Sequence, residues 1–154
     1  MFGLQDPRVV RDRVSGIDVT AHPKVISFLT TGRIDDEFMR TVPGPIAIGV
    51  SLSRPTRGDL ENEGYSVLAE IGNPQQMSPD EFPSIATRVA SIILKLLKIV
   101  RKDAYIALSC PNALAFMIGC LIGRRQRIHV LHYEENRYRR LPDFKPERVK
   151  TPKT

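Results

Sequence analysis

Three short polar segments carry residues able to hold a phosphate or a base, and each follows directly on an apolar run. The first, SLSRPTRG, offers Ser51, Ser53, Arg54, Thr56 and Arg57. Guanidinium groups make paired, charge-assisted hydrogen bonds to phosphate oxygens, and hydroxyls add shorter contacts. An ordinary solvated loop has the same composition. The second, SCPNALAF, turns straight into a helical pattern, with Ser109 or Cys110 as the cap, then Pro111, then Asn112 placed to reach a base or ribose. Unpaired N–H groups and the helix dipole draw an anion to such a start, although a plain strand-to-helix turn reads the same way. The third, YEENRYRR, sets Tyr133 and Tyr138, able to stack on a base, beside Arg137, Arg139 and Arg140. A charged surface hairpin is the alternative there.

Catalytic signatures are missing. The sequence has no G-x-x-x-x-G-K-S/T loop, no G-x-G-x-x-G turn and no G-x-S-x-G elbow. Asp35, Asp36 and Glu37 are adjacent on one short helical segment, Asp80 and Glu81 suit a helix start, and Glu134 and Glu135 close a strand. None of these makes an acid/base pair. The three histidines and two cysteines are scattered, so neither a metal site nor a cofactor is expected, and His132 alone makes no site. The expected activity is therefore binding without catalysis.

The elements that must position these residues fit one domain of 154 residues, 42% hydrophobic and 26% charged. The formal charge of +6 favours an anionic partner, though an ordinary basic surface gives the same total. Cys110 and Cys120 lie in apolar surroundings and read as buried thiols of a reducing compartment. The first residues lack the apolar core of a secretory signal, so the chain is expected to be cytoplasmic and not membrane-bound. The apolar stretch 104–123 is long enough to suggest a span, but Ser109, Pro111 and Asn112 divide it into a strand and a helix.

Strands are predicted at 46–53, 65–71, 104–109 and 127–135, with a short further one at 137–141. Residues 54–64 read as a polar loop with one helical turn. A long helix is predicted over 79–101, capped by Ser78, because Ile85, Val89, Ile92, Ile93, Leu96, Leu97 and Val100 fall on one face. A second helix, 111–124, is apolar nearly all round and is expected to be well covered. Strands alternating with helices imply an α/β, Rossmann-like layered domain with a mainly parallel sheet flanked by helices. That domain is placed at 43–142. Residues 1–42 are expected to form an N-terminal extension, helical in the main and packed on the domain or on a partner. Residues 143–154 are expected to be a flexible basic tail, and Lys145, Arg148, Lys150 and Lys153 there suit nucleic acid or an acidic partner.

The stretch IALSCPNALAFMIGCLIGRRQRIHVLHYEE resembles the closing motif of SAVED domains, in which a buried strand leads to a helix P-x-x-L-A-F-x-x-G and then a strand with an aromatic–acidic pair. The matching residues are Pro111, Leu114, Ala115, Phe116, Gly119, Tyr133 and Glu134. IAIGVSLSRPTRGDLE resembles the first strand and loop of the family's second half, and the likeness runs from about residue 45 to 141. The resemblance implies a CARF-like fold that senses a cyclic oligonucleotide, a tri- or tetranucleotide, in CBASS or type III CRISPR antiviral defence. It also implies an effector protein or a second sensor subunit as partner, in a homo- or hetero-oligomer, since the chain has room for one half alone. By position it assigns ligand binding to Ser51, Ser53, Arg54, Arg57, Ser109, Pro111 and Asn112, with Tyr133 and Arg137 behind them. A ring nuclease degrading such signals, and an interaction module that has lost the ligand, are the competing readings.

Overall fold

In the centre of the molecule four parallel strands lie in the order β4-β3-β5-β6. They are β3 (Ile46–Ser51), β4 (Ser66–Ile71), β5 (Ala104–Ser109) and β6 (Ile128–Glu134). The structure, a computed structural model, describes residues 10–125 and 127–142. Every residue of β3 is buried, as its unbroken apolar run requires of a strand covered on both faces. An antiparallel strand pair or strand closes each side. β1 (Val10–Val14) and β2 (Ile17–Ala21) form a hairpin joined to β4, and β7 (Arg137–Arg140) folds back along β6. The chain is thus α/β with one seven-stranded mixed sheet.

The helices divide between the two faces. Ile85, Val89, Ile92, Ile93 and Leu96 of α4 (Phe82–Leu97) share the larger core with Ile48, Val50 and Ile106 of the sheet. Leu114, Ile118 and Ile122 of α5 (Asn112–Ile122) join them, as do Val25, Phe28 and Leu29 of α1 (Pro23–Thr31) and Phe38 of α2 (Asp36–Thr41). Val89, Ile92, Ile93 and Leu96 are fully buried, and each such side chain contributes about 1.5–3 kcal/mol by leaving water. The other face holds a smaller cluster, in which Leu60 of α3 (Arg57–Asn62) packs with Ala47, Val67, Ala107, Leu131 and Tyr138. The chain steps one way from β3 to β4 through α3, then back past β3 to β5 through α4. The direction of travel therefore reverses between β3 and β5.

Residues 10–42 are helical only in part, where a mainly helical extension was expected. From Val10 onward they supply a hairpin and two helices of the same sheet and core. Ser15 and Gly16, both at positive φ, form the two-residue turn whose twist suits a hairpin. Ile17, Val19 and Ala21 then alternate inward. The exposed charges Arg11, Asp12 and Arg13 hide the strand period of β1. Helix α1 starts where His22 Nδ1 accepts the Lys24 N–H at 3.1 Å, and it ends at Gly32, whose left-handed backbone turns its N–H back to Phe28. Helix α2 is capped by Asp35, and the Glu37 N–H donated to its carboxylate holds the Asp35 pKa below the usual value.

Three further expectations need correction. Ser78 makes no side-chain cap, because residues Pro79–Glu81 form a separate 3-10 turn and α4 begins only at Phe82, with Pro83 in its first turn. Helix α5 is not well covered: Phe116 is 74% exposed and Leu121 49%, since α4 and the sheet reach only one of its sides. The cysteines are not both buried, Cys110 being half-buried and Cys120 exposed on that open side. The expected tail, 143–154, lies outside the described residues.

Gly49 sets how closely α3 approaches β3. A Cβ there would run into the Thr56 hydroxyl and meet Leu60 at 3.3 Å. Gly49→Ala is expected to lower stability by about 1–3 kcal/mol through overpacking, read as a lower urea midpoint with an unchanged slope.

Candidate functional site

The reversal between β3 and β5 brings two of the three polar segments to one rim. Ser51 and Ser109 end these strands side by side in register. Just beyond them the Ser109 carbonyl accepts the N–H groups of Leu52 at 2.9 Å and Ser53 at 2.8 Å. That double bond of one carbonyl fastens the loop after β3 against the turn into α5. Open sheets of this kind take ligands outside the carboxyl ends of their strands, where the order reverses.

Ser51 faces inward rather than toward a ligand. It is fully buried, donates to Glu70 Oε2 at 2.7 Å, and lies 2.7 Å from the Thr56 hydroxyl and 3.0 Å from the Thr56 N–H that it accepts. Glu70 Oε2 also accepts the N–H groups of Thr56 at 3.1 Å and Arg57 at 3.3 Å. The positive end of α3 is therefore already filled by a carboxylate from β4. A ligand phosphate there would meet Glu70, so the loop's own amides at that point are structural. Neither Glu70 nor Thr56 was expected to hold the loop. An acid near the end of an otherwise apolar strand, beside a loop rich in hydroxyls, was the signal.

Arg54 and Tyr133 come together, but on each other. The guanidinium sits 3.5 Å from the centre of the Tyr133 ring, and Nη2 donates to the Tyr138 hydroxyl at 3.4 Å. Burial pushes the Tyr138 pKa up, and the Arg54 contact offsets part of that rise. One face of Tyr133 is thus occupied by Arg54 in place of a base. Among the described residues Arg54 Nε is buried with no hydrogen-bond partner. Arg57, half-buried, reaches Glu61 at 3.3 Å. Ser53 is exposed beside the start of α5, where Asn112 and Ala113 are exposed too. Pro111 opens that helix without a side-chain cap, and the first backward bond of the helix is Ala115 N–H to the Pro111 carbonyl. The amides of Asn112, Ala113 and Leu114 precede it and have no partner within the helix. Arg137 is exposed at the start of β7, opposite Glu134, and among the described residues no bond ties it to the rim.

No protein-family model and no curated protein matches this sequence. The site therefore rests on geometry alone. Two clefts among the described residues lie elsewhere: one of about 370 Å³ at the opposite end of the sheet, and one of about 410 Å³ between α4 and α5. Among the described residues no cluster of His, Cys, Asp or Glu is placed to hold a metal ion, and no helix is long and apolar enough to cross a membrane.

Two outcomes are expected from these contacts. Glu70→Ala strands the donors of Ser51, Thr56 and Arg57 and is expected to cost about 1–3 kcal/mol, with Glu70→Gln milder, by chemical denaturation. Burial pushes the Cys110 thiol up to about 11, so iodoacetamide at pH 8 is expected to modify exposed Cys120 first, as peptide mass spectrometry would show.

Proposed function

We propose that the chain is a sensor subunit, a Rossmann-like and CARF-like half domain that binds a cyclic tri- or tetranucleotide along the rim between β3 and β5. In this reading it works in the cytoplasm, performs no catalysis, and passes the binding event to an effector protein or a second sensor subunit. The observation that carries the proposal is the Ser109 clamp at the strand-order reversal, which holds exposed Ser53 close to the start of α5, where the amides of exposed Asn112 and Ala113 have no partner within the helix. A phosphodiester fits those amides on charge and on hydrogen bonding. The net charge of +6 favours the same anionic partner.

The proposal gives roles to eight of the nine residues assigned by position and leaves out Arg137. Ser53, Asn112 and the amides behind Pro111 face the ligand, Arg54 reaches it from its perch on Tyr133, and Arg57 lies beside them. Ser51 and Ser109 shape the surface from beneath. Assembly falls to α5. This helix carries no charged residue yet leaves Phe116 and Leu121 in water, whereas a helix apolar on all sides is ordinarily buried.

Differential scanning fluorimetry with a panel of cyclic oligonucleotides tests the reading. A true ligand at a hundredfold excess over Kd stabilises by about 2.7 kcal/mol, a rise of roughly 5 °C or more for a chain of this size. Asn112→Asp puts a carboxylate in the first turn of α5, which the helix dipole favours and a phosphate does not. That variant is expected to keep its fold and lose the shift. The ligand is expected to be recovered intact by chromatography after long incubation, and linear products would point to a ring nuclease instead. Absence of a shift with every ring in the panel removes the sensor reading. In light scattering, Phe116→Ser is expected to reduce ligand-dependent assembly without lowering the melting temperature.

A further inference from the structure

At the end of the sheet away from the rim, α2 runs out, β3 and β5 begin, and a cleft of about 370 Å³ opens between them. We propose that this cleft is a second binding site, for a small amphipathic anion: a compact apolar ring body bearing a single acidic head group. It shares no residue with the rim.

The interior of the cleft is apolar. Buried Val42, Ile46 and Ile99 form its floor, and half-buried Met39 and Pro45 form its side. Its volume lies toward the lower end of the range for small-molecule pockets, about 300–1,000 Å³. Such a hollow gains free energy when an apolar body displaces its water.

The mouth is charged, and its charges are unequally committed. Asp36 is held by Arg101 at 2.9 Å, whereas Asp103 lies 3.4 Å from His129 Nε2, a buried atom that makes no hydrogen bond among the described residues. Arg40 and Lys102, both exposed at the mouth, form no ion pair among the described residues. One acid is thus paired, and Arg40 and Lys102 outweigh the other, Asp103, which leaves the mouth net positive toward a head group. A body seated on the floor brings its acidic group toward Arg40 and Lys102.

The walls are braced before anything binds. The Tyr105 ring, which lines the cleft, stacks on His129 with centroids 5.1 Å apart, and the Arg140 guanidinium lies 4.5 Å from its centre. Arg140 is fixed in turn by donating to the Tyr65 hydroxyl at 3.0 Å. The turn that carries Arg101 and Lys102 is tied down by Arg127 Nη1, which donates to the Arg101 carbonyl at 3.0 Å. A site held in shape in this way loses little ordering entropy on binding.

Two fluorescent probes of nearly the same ring body test the site on the full chain: anilinonaphthalene sulfonate, an aromatic anion, and N-phenylnaphthylamine, its neutral counterpart. The sulfonate is expected to saturate at one per chain and to bind roughly three- to tenfold more tightly than the neutral dye, as two exposed charge contacts allow. Amide shifts in a two-dimensional NMR spectrum are expected at residues 39–46 and 99–105. Added salt is expected to remove the sulfonate's advantage, which reads the head-group contact without any mutation. The double variant Arg40→Glu/Lys102→Glu is expected to bring sulfonate binding to or below that of the neutral dye, while Asn112→Asp at the rim changes neither. Equal affinity of the two dyes at low salt would overturn the head-group assignment. Loss of fluorescence in Phe116→Ser, with shifts on α5, would place the dye on that helix and overturn the site altogether. A failed shift with cyclic oligonucleotides touches only the rim, so the two readings fall separately.

Discussion

One carbonyl group holds the rim between β3 and β5 together. The Ser109 oxygen spends both lone pairs on the chain leaving the neighbouring strand, at Leu52 and Ser53. Without that pair of bonds, the segment after β3 and the turn into α5 would diverge from the sheet in opposite directions, since one leads to the helix on one face and the other to a helix on the opposite face. Their divergence creates the gap, and the carbonyl fixes its floor. Residues distant in sequence acquire a common surface through backbone hydrogen bonding, before any side chain is considered.

The two helix starts near this gap are treated differently. The start of α3 is neutralised from within by Glu70, whose one oxygen accepts the Thr56 and Arg57 amides and the Ser51 hydroxyl. The start of α5 receives no such group. Among the described residues the two starts therefore differ: one set of amides is satisfied by a carboxylate of the same chain, and the amides of Asn112 and Ala113 have no partner within their helix. Arg54 follows the same pattern, with its flat face on Tyr133 and its Nη2 on Tyr138 while Nε has no hydrogen-bond partner among the described residues.

The order β3, β4, α4, β5, α5, β6 could be read from the sequence because each element writes its burial as an apolar period or run. Ile85 to Leu96 is legible because one face of α4 does nearly all its packing. The hairpin β1–β2 was not, because an outermost strand shows its charges on a short repeat and only Ile17, Val19 and Ala21 betray the pairing. Helix α5 misled for the opposite reason. Its composition records that every side is apolar, but composition does not say whether the cover comes from the same chain. At the rim, Ser53, Arg54, Ser109 and Asn112 were legible because each lies at or just past the carboxyl end of an apolar strand. The roles of Ser51 and Glu70 were hidden, since a hydroxyl looks the same whether it faces water or a buried carboxylate. The Arg54–Tyr138 contact spans 84 positions, and no local pattern encodes it.

The two outermost described strands have a consequence for how copies of this protein can meet. β1 presents Arg11, Asp12 and Arg13 to solvent, and β7 presents Arg137, Arg139 and Arg140. Both borders of the sheet are lined with charge, which resists the lateral strand-to-strand zipping that otherwise lets a flat sheet recruit its neighbour. Growth by ladder extension is thereby disfavoured at both described margins, and contacts between copies are steered toward other surfaces, of which the apolar open side of α5 is one.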